Sequence, residues 1–273
     1  DCWGGGSSTE ALVGLAMGAI EVGMCHTVVI WRAMNGYSEV RIGGTGVRSA
    51  APVRESLLLT RPYGLMSAAQ NFSFSFVRHM MQYGVTNEQL ANIAAIESRH
   101  ASNNPKAVYK KRVTVQEVLD SPWVIKPWCH RFDCCVETDN GTCLIVTSAE
   151  RARDLRPQPV YIMGVAGRVC QLRGAETVYQ HFPDMTRVAG RYAAPIVFGM
   201  AGIGPEDVDV TSIYDCFTYA VLIQSEAYGF CGPGEGADYC TSPIIELGGK
   251  RPNNTGGGQL WESYTHGMNL VIE

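Results

Sequence analysis

Charge is scarce in this 273-residue chain: Asp, Glu, Lys and Arg together make up 18%, where a soluble domain ordinarily carries about a quarter. With 46% hydrophobic residues, more surface than usual must be buried, inside or at a subunit contact, so an oligomer is expected. The net charge of −4 offers no general attraction for nucleic acid or an anionic membrane. No apolar run reaches the roughly 18 residues of a membrane span, so none is expected. Ten cysteines are present, but a disulfide framework belongs to much shorter secreted chains, and these read as reduced core thiols. There is no C-x-x-C pair, and His130 to Cys134 has no second half at zinc-ligand spacing; no metal is expected. The first residue is Asp1 and the last are Val271-Ile272-Glu273, at the start of a new apolar segment. A fragment truncated at both ends is expected, with any targeting signal out of view and a cytoplasmic location as the default.

What is present alternates small-residue helices with apolar strands. Gly4-Gly5-Gly6-Ser7-Ser8-Thr9 opens onto a helix over 11–22, and Thr27-Val28-Val29-Ile30-Trp31 reads as a fully buried strand of the parallel-sheet kind. From about 35 to about 128 the pattern reads as an insertion, with helices over 65–83, 87–103 and 115–119, the last two capped by Thr86 and Thr114. Asp139-Asn140-Gly141 signals a tight turn before a strand over 142–147 and a helix over 148–155. Arg156-Pro157-Gln158-Pro159 marks an internal boundary. Beyond it, strands are predicted over 160–165 and 208–213, and helices over 185–201 and 217–228. Both sides share this grammar, which predicts an α/β protein of two related halves, 1–156 (with the insertion at about 35–128) and 157–273.

Chemistry-bearing residues gather in the second half. Ile213-Tyr214-Asp215-Cys216-Phe217 places Tyr214 and Asp215 where a strand turns into a helix, the end of an α/β sheet at which ligands bind. Taken singly, Tyr214 is equally a core tyrosine and Asp215 a helix cap. Gly229-Phe230-Cys231-Gly232-Pro233-Gly234-Glu235-Gly236 reads as a rigid loop able to line a pocket. In Asn254-Thr255-Gly256-Gly257-Gly258-Gln259-Leu260 three glycines predict positive φ and a close backbone approach; Tyr264, His266 and Asn269 follow. Lys110-Lys111-Arg112 reads as a solvated run with a phosphate site as the alternative, and Arg99 and His100 read as structural.

In this order, the Tyr-Asp-Cys-Phe junction, the Gly-Phe-Cys-Gly-Pro-Gly-Glu-Gly loop, and the Asn-Thr-Gly-Gly-Gly-Gln-Leu and Tyr-Thr-His-Gly-Met-Asn segments closely resemble the thiolase superfamily. The match is nearest its lipid-transfer-protein-like (sterol carrier protein x) branch, which includes steroid side-chain aldolases. The resemblance implies the thiolase fold, two αβαβα halves of layered sheets around buried helices. It also aligns the superfamily's nucleophilic cysteine with Gly6 or its neighbour, its Asn-Glu-Ala-Phe with Tyr214-Asp215-Cys216-Phe217, and its catalytic histidine with Tyr264. A thiolase that lacks its cysteine and carries two tyrosines is expected to act as a retro-aldolase on a β-hydroxyacyl-CoA with a lipid or steroid side chain. Tyr214 and Tyr264 are then the proton-transferring pair, Asp215 tunes one of them, His266 is a second proton carrier, and Asn254, Gly257, Gly258 and Gly6 form the oxyanion and substrate loop.

No bound cofactor is expected, coenzyme A entering as part of the substrate. The resemblance also implies a homodimer that recruits a small partner subunit with an OB-like fold and a zinc ribbon. Two alternatives stand beside this reading: an acetyl-CoA acetyltransferase that uses Cys2 or Cys231, and a non-catalytic lipid-transfer or structural subunit.

Overall fold

A computed structural model of the protein describes residues 8–38, 61–65, 67–155, 158–166 and 184–273. Helix α1 (Ser8–Glu21) leads into strand β1 (Thr27–Asn35), which pairs antiparallel with β4 (Asp139–Thr147) from Thr27↔Thr147 to Asn35↔Asp139. Between these strands come α2 (Ala68–Tyr83), α3 (Asn87–Ala101), α4 (Val115–Leu119) and a small antiparallel pair, β2 (Trp123–Ile125) with β3 (Cys129–His130). After β4 follow α5 (Ala149–Arg153), α6 (Gly190–Ala201), α7 (Thr218–Ala227), α8 (Gly236–Cys240), one turn of π-helix (Gly258–Glu262) and α9 (Met268–Ile272). No helix among the described residues is long and apolar enough to cross a membrane.

Local signals set the helix starts. Ser67, Thr86 and Thr114 each accept the N–H three residues on, while Gln70, Gln89 and Glu117 reach back to the cap. Helix α7 is enclosed, with Thr218 to Ile223 and Ser225 all buried. Tyr219, Leu222 and Ile223 of α7 form the main core with Phe76 of α2, Leu90 and Ile93 of α3, and Trp128. The opposite face of α3, with Ala91, Ala94 and Ala101, packs on Leu260 and Trp261 in a second cluster. A third cluster joins α1 to β1 and β4 through Val13, Ala16, Ile30 and Val146, with Met268 of α9. Helix α3 therefore bridges the α7 core and the segment after the glycine run.

The structure corrects four expectations. The run Thr27–Trp31 is not a parallel strand buried on both faces: it pairs antiparallel, with Val29 and Trp31 56% and 70% exposed. Asn140-Gly141 is no turn, because these residues lie in β4 opposite Met34 and Ala33, where ladder bonds outweigh local turn preference. The turn signal in this stretch belongs to Asp139, whose Oδ1 accepts the N–H groups of Tyr37 and Ser38 (2.9 and 3.0 Å) as the chain leaves β1. Among the described residues, 160–165 and 208–213 form no strand ladder; in the second, only Thr211 makes a parallel bridge, to Asn253. Strand propensity reports a fit to a pleated surface, and here the partner is the loop before the glycine run. The helix predicted over 185–201 starts only at Gly190. Of the linker residues, Arg156 and Pro157 lie outside the described residues.

Candidate active site

The phenols of Tyr214 and Tyr264 are hydrogen-bonded to each other, Oη to Oη, at 2.9 Å. Two separate clamps bring them together. Asn254 pairs its side chain with both backbone groups of Ile213: Oδ1 accepts the Ile213 N–H (2.8 Å) and Nδ2 donates to the Ile213 carbonyl (3.0 Å). Gln224 of α7 donates to the Tyr214 carbonyl (2.7 Å). On the other side, Thr138 Oγ1 accepts the Tyr264 N–H (3.0 Å) and Asn140 Nδ2 donates to the Tyr264 carbonyl (3.1 Å). The end of β4 thus holds Tyr264, and the junction before α7 holds Tyr214.

Burial pushes both phenols up from their ordinary value. The bond between them works in opposite directions, raising Tyr214 and lowering Tyr264, and either phenol can be its donor. Arg32, inward-facing on β1, also pulls Tyr264 down. Its guanidinium contacts Nδ1 of His266, whose ring packs edge-on against that of Tyr264 with centroids 4.9 Å apart. Burial, and then Arg32, lower His266 to about 4. The imidazole is therefore neutral at neutral pH; its Nδ1 accepts from Arg32 and Nε2 carries the proton. As a proton acceptor near neutrality His266 is weak, which narrows the second-carrier role expected for it.

Asp215 neither caps α7 nor meets the phenols. It is fully buried and accepts the N–H groups of Gln259 (2.9 Å) and Leu260 (3.0 Å), which fastens the π turn after the glycines. The N-cap of α7 is Phe217, with no side-chain cap. Burial raises the Asp215 carboxyl, and those two N–H donors partly offset the rise. The glycines permit this contact. Gly258 has φ +59°, and a Cβ there would stand 2.1 Å from Asp215 Oδ2; at Gly257, with φ +103°, it would stand 2.4 Å from Ala101 Cβ. The close backbone approach is therefore to α3 and Asp215. The Gly257 N–H already donates to the Asn254 carbonyl (2.9 Å), which leaves Gly258 as the amide available for the oxyanion role assigned to this pair. Gly6 and Cys2 lie outside the described residues.

Arg32, Thr138 and Cys135 complete the site and, like Glu97 behind Asn254, carry no motif. Glu97 had one visible mark: it falls on the helical stripe of Leu90, Ile93 and Ala94, where an apolar residue belongs. Cys135 and Cys216 act electrostatically on both tyrosines, and burial pushes both thiols well above their ordinary range. Cys231 is raised as well, chiefly by burial, and its electrostatic neighbours are Cys240, Glu226 and Glu235, none of them at the tyrosines. Its loop folds against the far end of α7, where Glu226 accepts the Gly236 N–H (3.0 Å), instead of lining the tyrosine site. His100 is structural: Nδ1 donates to the Asn253 carbonyl (3.0 Å) and Nε2 accepts the Leu247 N–H (3.2 Å). Arg99 pairs with Glu246 at 2.9 Å, Lys111 with Glu117 at 2.7 Å, and Lys110 and Arg112 bond the Pro105 carbonyl and Ser102.

Residues 174–273 match the family described as thiolase C-terminal domain-like. The chain is 36% identical to a steroid side-chain-cleaving aldolase of Thermomonospora curvata, over 99% of this chain and 70% of that protein. It is 35% identical to the 17-hydroxy-3-oxo-4-pregnene-20-carboxyl-CoA lyase of Mycobacterium tuberculosis, over 99% of this chain and 71% of that protein. A solved structure of the Ltp2-ChsH2(DUF35) aldolase superposes with a TM-score of 0.90 at 34% identity, covering 98% of this chain and 69% of that one.

Proposed function

This chain belongs to the thiolase superfamily, in the lipid-transfer-protein-like branch with the steroid side-chain-cleaving aldolases, and on that footing we propose that it cleaves a β-hydroxyacyl-CoA by retro-aldol chemistry. The fold is the α/β thiolase fold. The observation that carries the mechanism is the buried 2.9 Å contact between Tyr214 and Tyr264. Retro-aldol cleavage moves one proton off the β-hydroxyl and another onto the α-carbon. As the hydroxyl proton leaves, its O–H electrons form the new carbonyl, and the Cα–Cβ electrons pass to the thioester as an enolate. Tyr264, which feels Arg32, takes the β-hydroxyl proton as its own phenolic proton passes to Tyr214, and Tyr214 gives its proton to the enolate carbon. Both phenols end neutral, as they began. The Gly258 amide is the donor assigned to the enolate oxygen.

A cysteine route finds little support at this site, since the thiols beside the tyrosines are held in their unreactive protonated form. We assign 157–273 to the C-terminal thiolase half, a reading supported by the family match over 174–273, and 1–156 to the remainder of the N-terminal half. A steroid or other lipid side chain is the substrate class, by analogy with the two curated relatives. We also propose a homodimer that recruits a small partner subunit with an OB-like fold and a zinc ribbon; the DUF35 component of the solved aldolase supports a partner of some kind.

The test is incubation of the full-length protein, with and without such a partner, with β-hydroxyacyl-CoA esters of short, branched and sterol side chains. A ketone or aldehyde together with the shortened acyl-CoA is expected. No such products with any of these substrates, in the presence of the partner, would sink the proposal.

A further inference from the structure

The proton transfers above make no use of Glu97, yet it touches Asn254 of the Tyr214 clamp and faces Asp215, which fastens the turn leading to Tyr264. Its Oε1 accepts from Asn254 Nδ2 (2.9 Å), the same amide nitrogen that donates to Ile213, and from Asn253 Nδ2 (3.4 Å). Its Oε2 is buried with no donor, and the carboxyl faces that of Asp215. Both residues are fully buried. The titratable groups around the pair are Glu273 and Cys240 facing Glu97, and Cys135 and Cys216 facing Asp215. Every one of these is neutral or anionic, and no Lys or Arg pairs with either carboxyl among the described residues. Two bare carboxylates in contact, without a cation and out of water, are untenable. A single proton removes the repulsion and gives the unpartnered Glu97 Oε2 a hydrogen to donate. Asp215 already receives a backbone N–H on each oxygen, so the proton resides on Glu97.

We infer that Glu97 and Asp215 are a one-proton acid pair, Glu97 donating to the Asp215 carboxylate, and that the pair is the positioning element linking the Tyr214 clamp to the Tyr264 loop. The second half of this statement rests on the reading of the two tyrosines as the proton-transferring pair. Through Asn254 the pair reaches Ile213 and Tyr214. Through Asp215 it holds Gln259 and Leu260, and Gln259 Oε1 in turn accepts the Gly267 N–H (2.9 Å) beyond Tyr264. Burial and the neighbouring carboxylate raise Glu97 well above its ordinary value. The folded protein therefore keeps a proton that the unfolded chain releases. Above the ordinary carboxyl range, stability falls as pH rises, by up to about tenfold in the folding equilibrium per pH unit until the folded group ionises.

The test uses full-length enzyme carrying Glu97→Gln, which holds the donated hydrogen at every pH, and Glu97→Leu, which cannot donate. Difference infrared spectroscopy is expected to show the carbonyl stretch of a buried protonated carboxyl in the wild type at neutral pH, lost in Glu97→Gln. In urea unfolding, the stability of Glu97→Gln relative to wild type is expected to rise with pH above the ordinary carboxyl range. The kcat of Glu97→Gln should stay within about threefold of wild type, under 1 kcal/mol in the barrier, with KM unchanged, while Glu97→Leu loses kcat or fails to fold. Absence of the infrared band, a stability ratio flat with pH, or loss of kcat in Glu97→Gln would overturn the inference. A wild type that cleaves no β-hydroxyacyl-CoA would refute the reading of the tyrosines, while the infrared and unfolding measurements still decide the acid pair.

Discussion

Replacing Gly258 by alanine isolates the contact on which the site depends. Two penalties add. At φ +59° a side chain in the left-handed region costs roughly 1–2 kcal/mol. The new Cβ would also stand 2.1 Å from Asp215 Oδ2 and 2.8 Å from its Cγ, too close for either to remain. Displacing Asp215 breaks at least one of its bonds from Gln259 and Leu260, and a hydrogen bond to a charged group is worth about 1.5–3 kcal/mol. The sum is about 2.5–5 kcal/mol. Gly84→Ala is the control: φ is +76° and nothing lies within 4 Å of a Cβ there, so only the backbone term of roughly 1–2 kcal/mol applies. Urea unfolding of the full-length variants at neutral pH measures both. Gly258→Ala should be the less stable by at least about 1.5 kcal/mol, the value of the lost bond, and should lose kcat as well. Equal stabilities within about 0.5 kcal/mol, the ordinary scatter of independent surface changes, would refute the claim that Asp215 and the glycine backbone are locked together.

Tyr214→Phe and Tyr264→Phe should each lower kcat by at least about tenfold, and the double variant should be little worse than the more severe single one, because the pair acts as a unit; steady-state kinetics on the cleaved acyl-CoA decides. His266, lowered from 6.5 to about 4, binds fewer protons folded than unfolded across that window. Stability therefore falls as pH drops through it, by at most about 1.4 kcal/mol per pH unit, and His266→Gln should flatten that limb in unfolding experiments. Arg32→Gln removes a cation that depresses His266, so the imidazole should titrate higher by NMR. An unmoved imidazole would mean that the guanidinium does not act on it.

The helix caps at Thr86 and Thr114 were legible because each is a local signal contained in a few neighbouring residues. Tyr264 was legible as well, through a motif that follows glycines required by a close backbone approach, and Tyr214 through its place at the junction before α7. Asn140-Gly141 misled for the converse reason: a turn preference is worth little once nine residues find a partner strand. Glu97 announced itself only as a charge on an apolar stripe, and nothing near it in the chain pointed to Asp215, 118 positions later.

By itself, then, the sequence determined the kind of chemistry, since two phenols, the glycine run and the junction before α7 are local patterns. Only the tertiary structure decided how that chemistry is arranged. It set Tyr214 against Tyr264, Arg32 on β1 behind His266, and Glu97 on α3 against Asp215. These are meetings of residues from separate elements, produced when the apolar faces of α3 and α7 are buried together. The electrostatics that make an acid, a base or a neutral imidazole arise from that burial and exist in no segment alone.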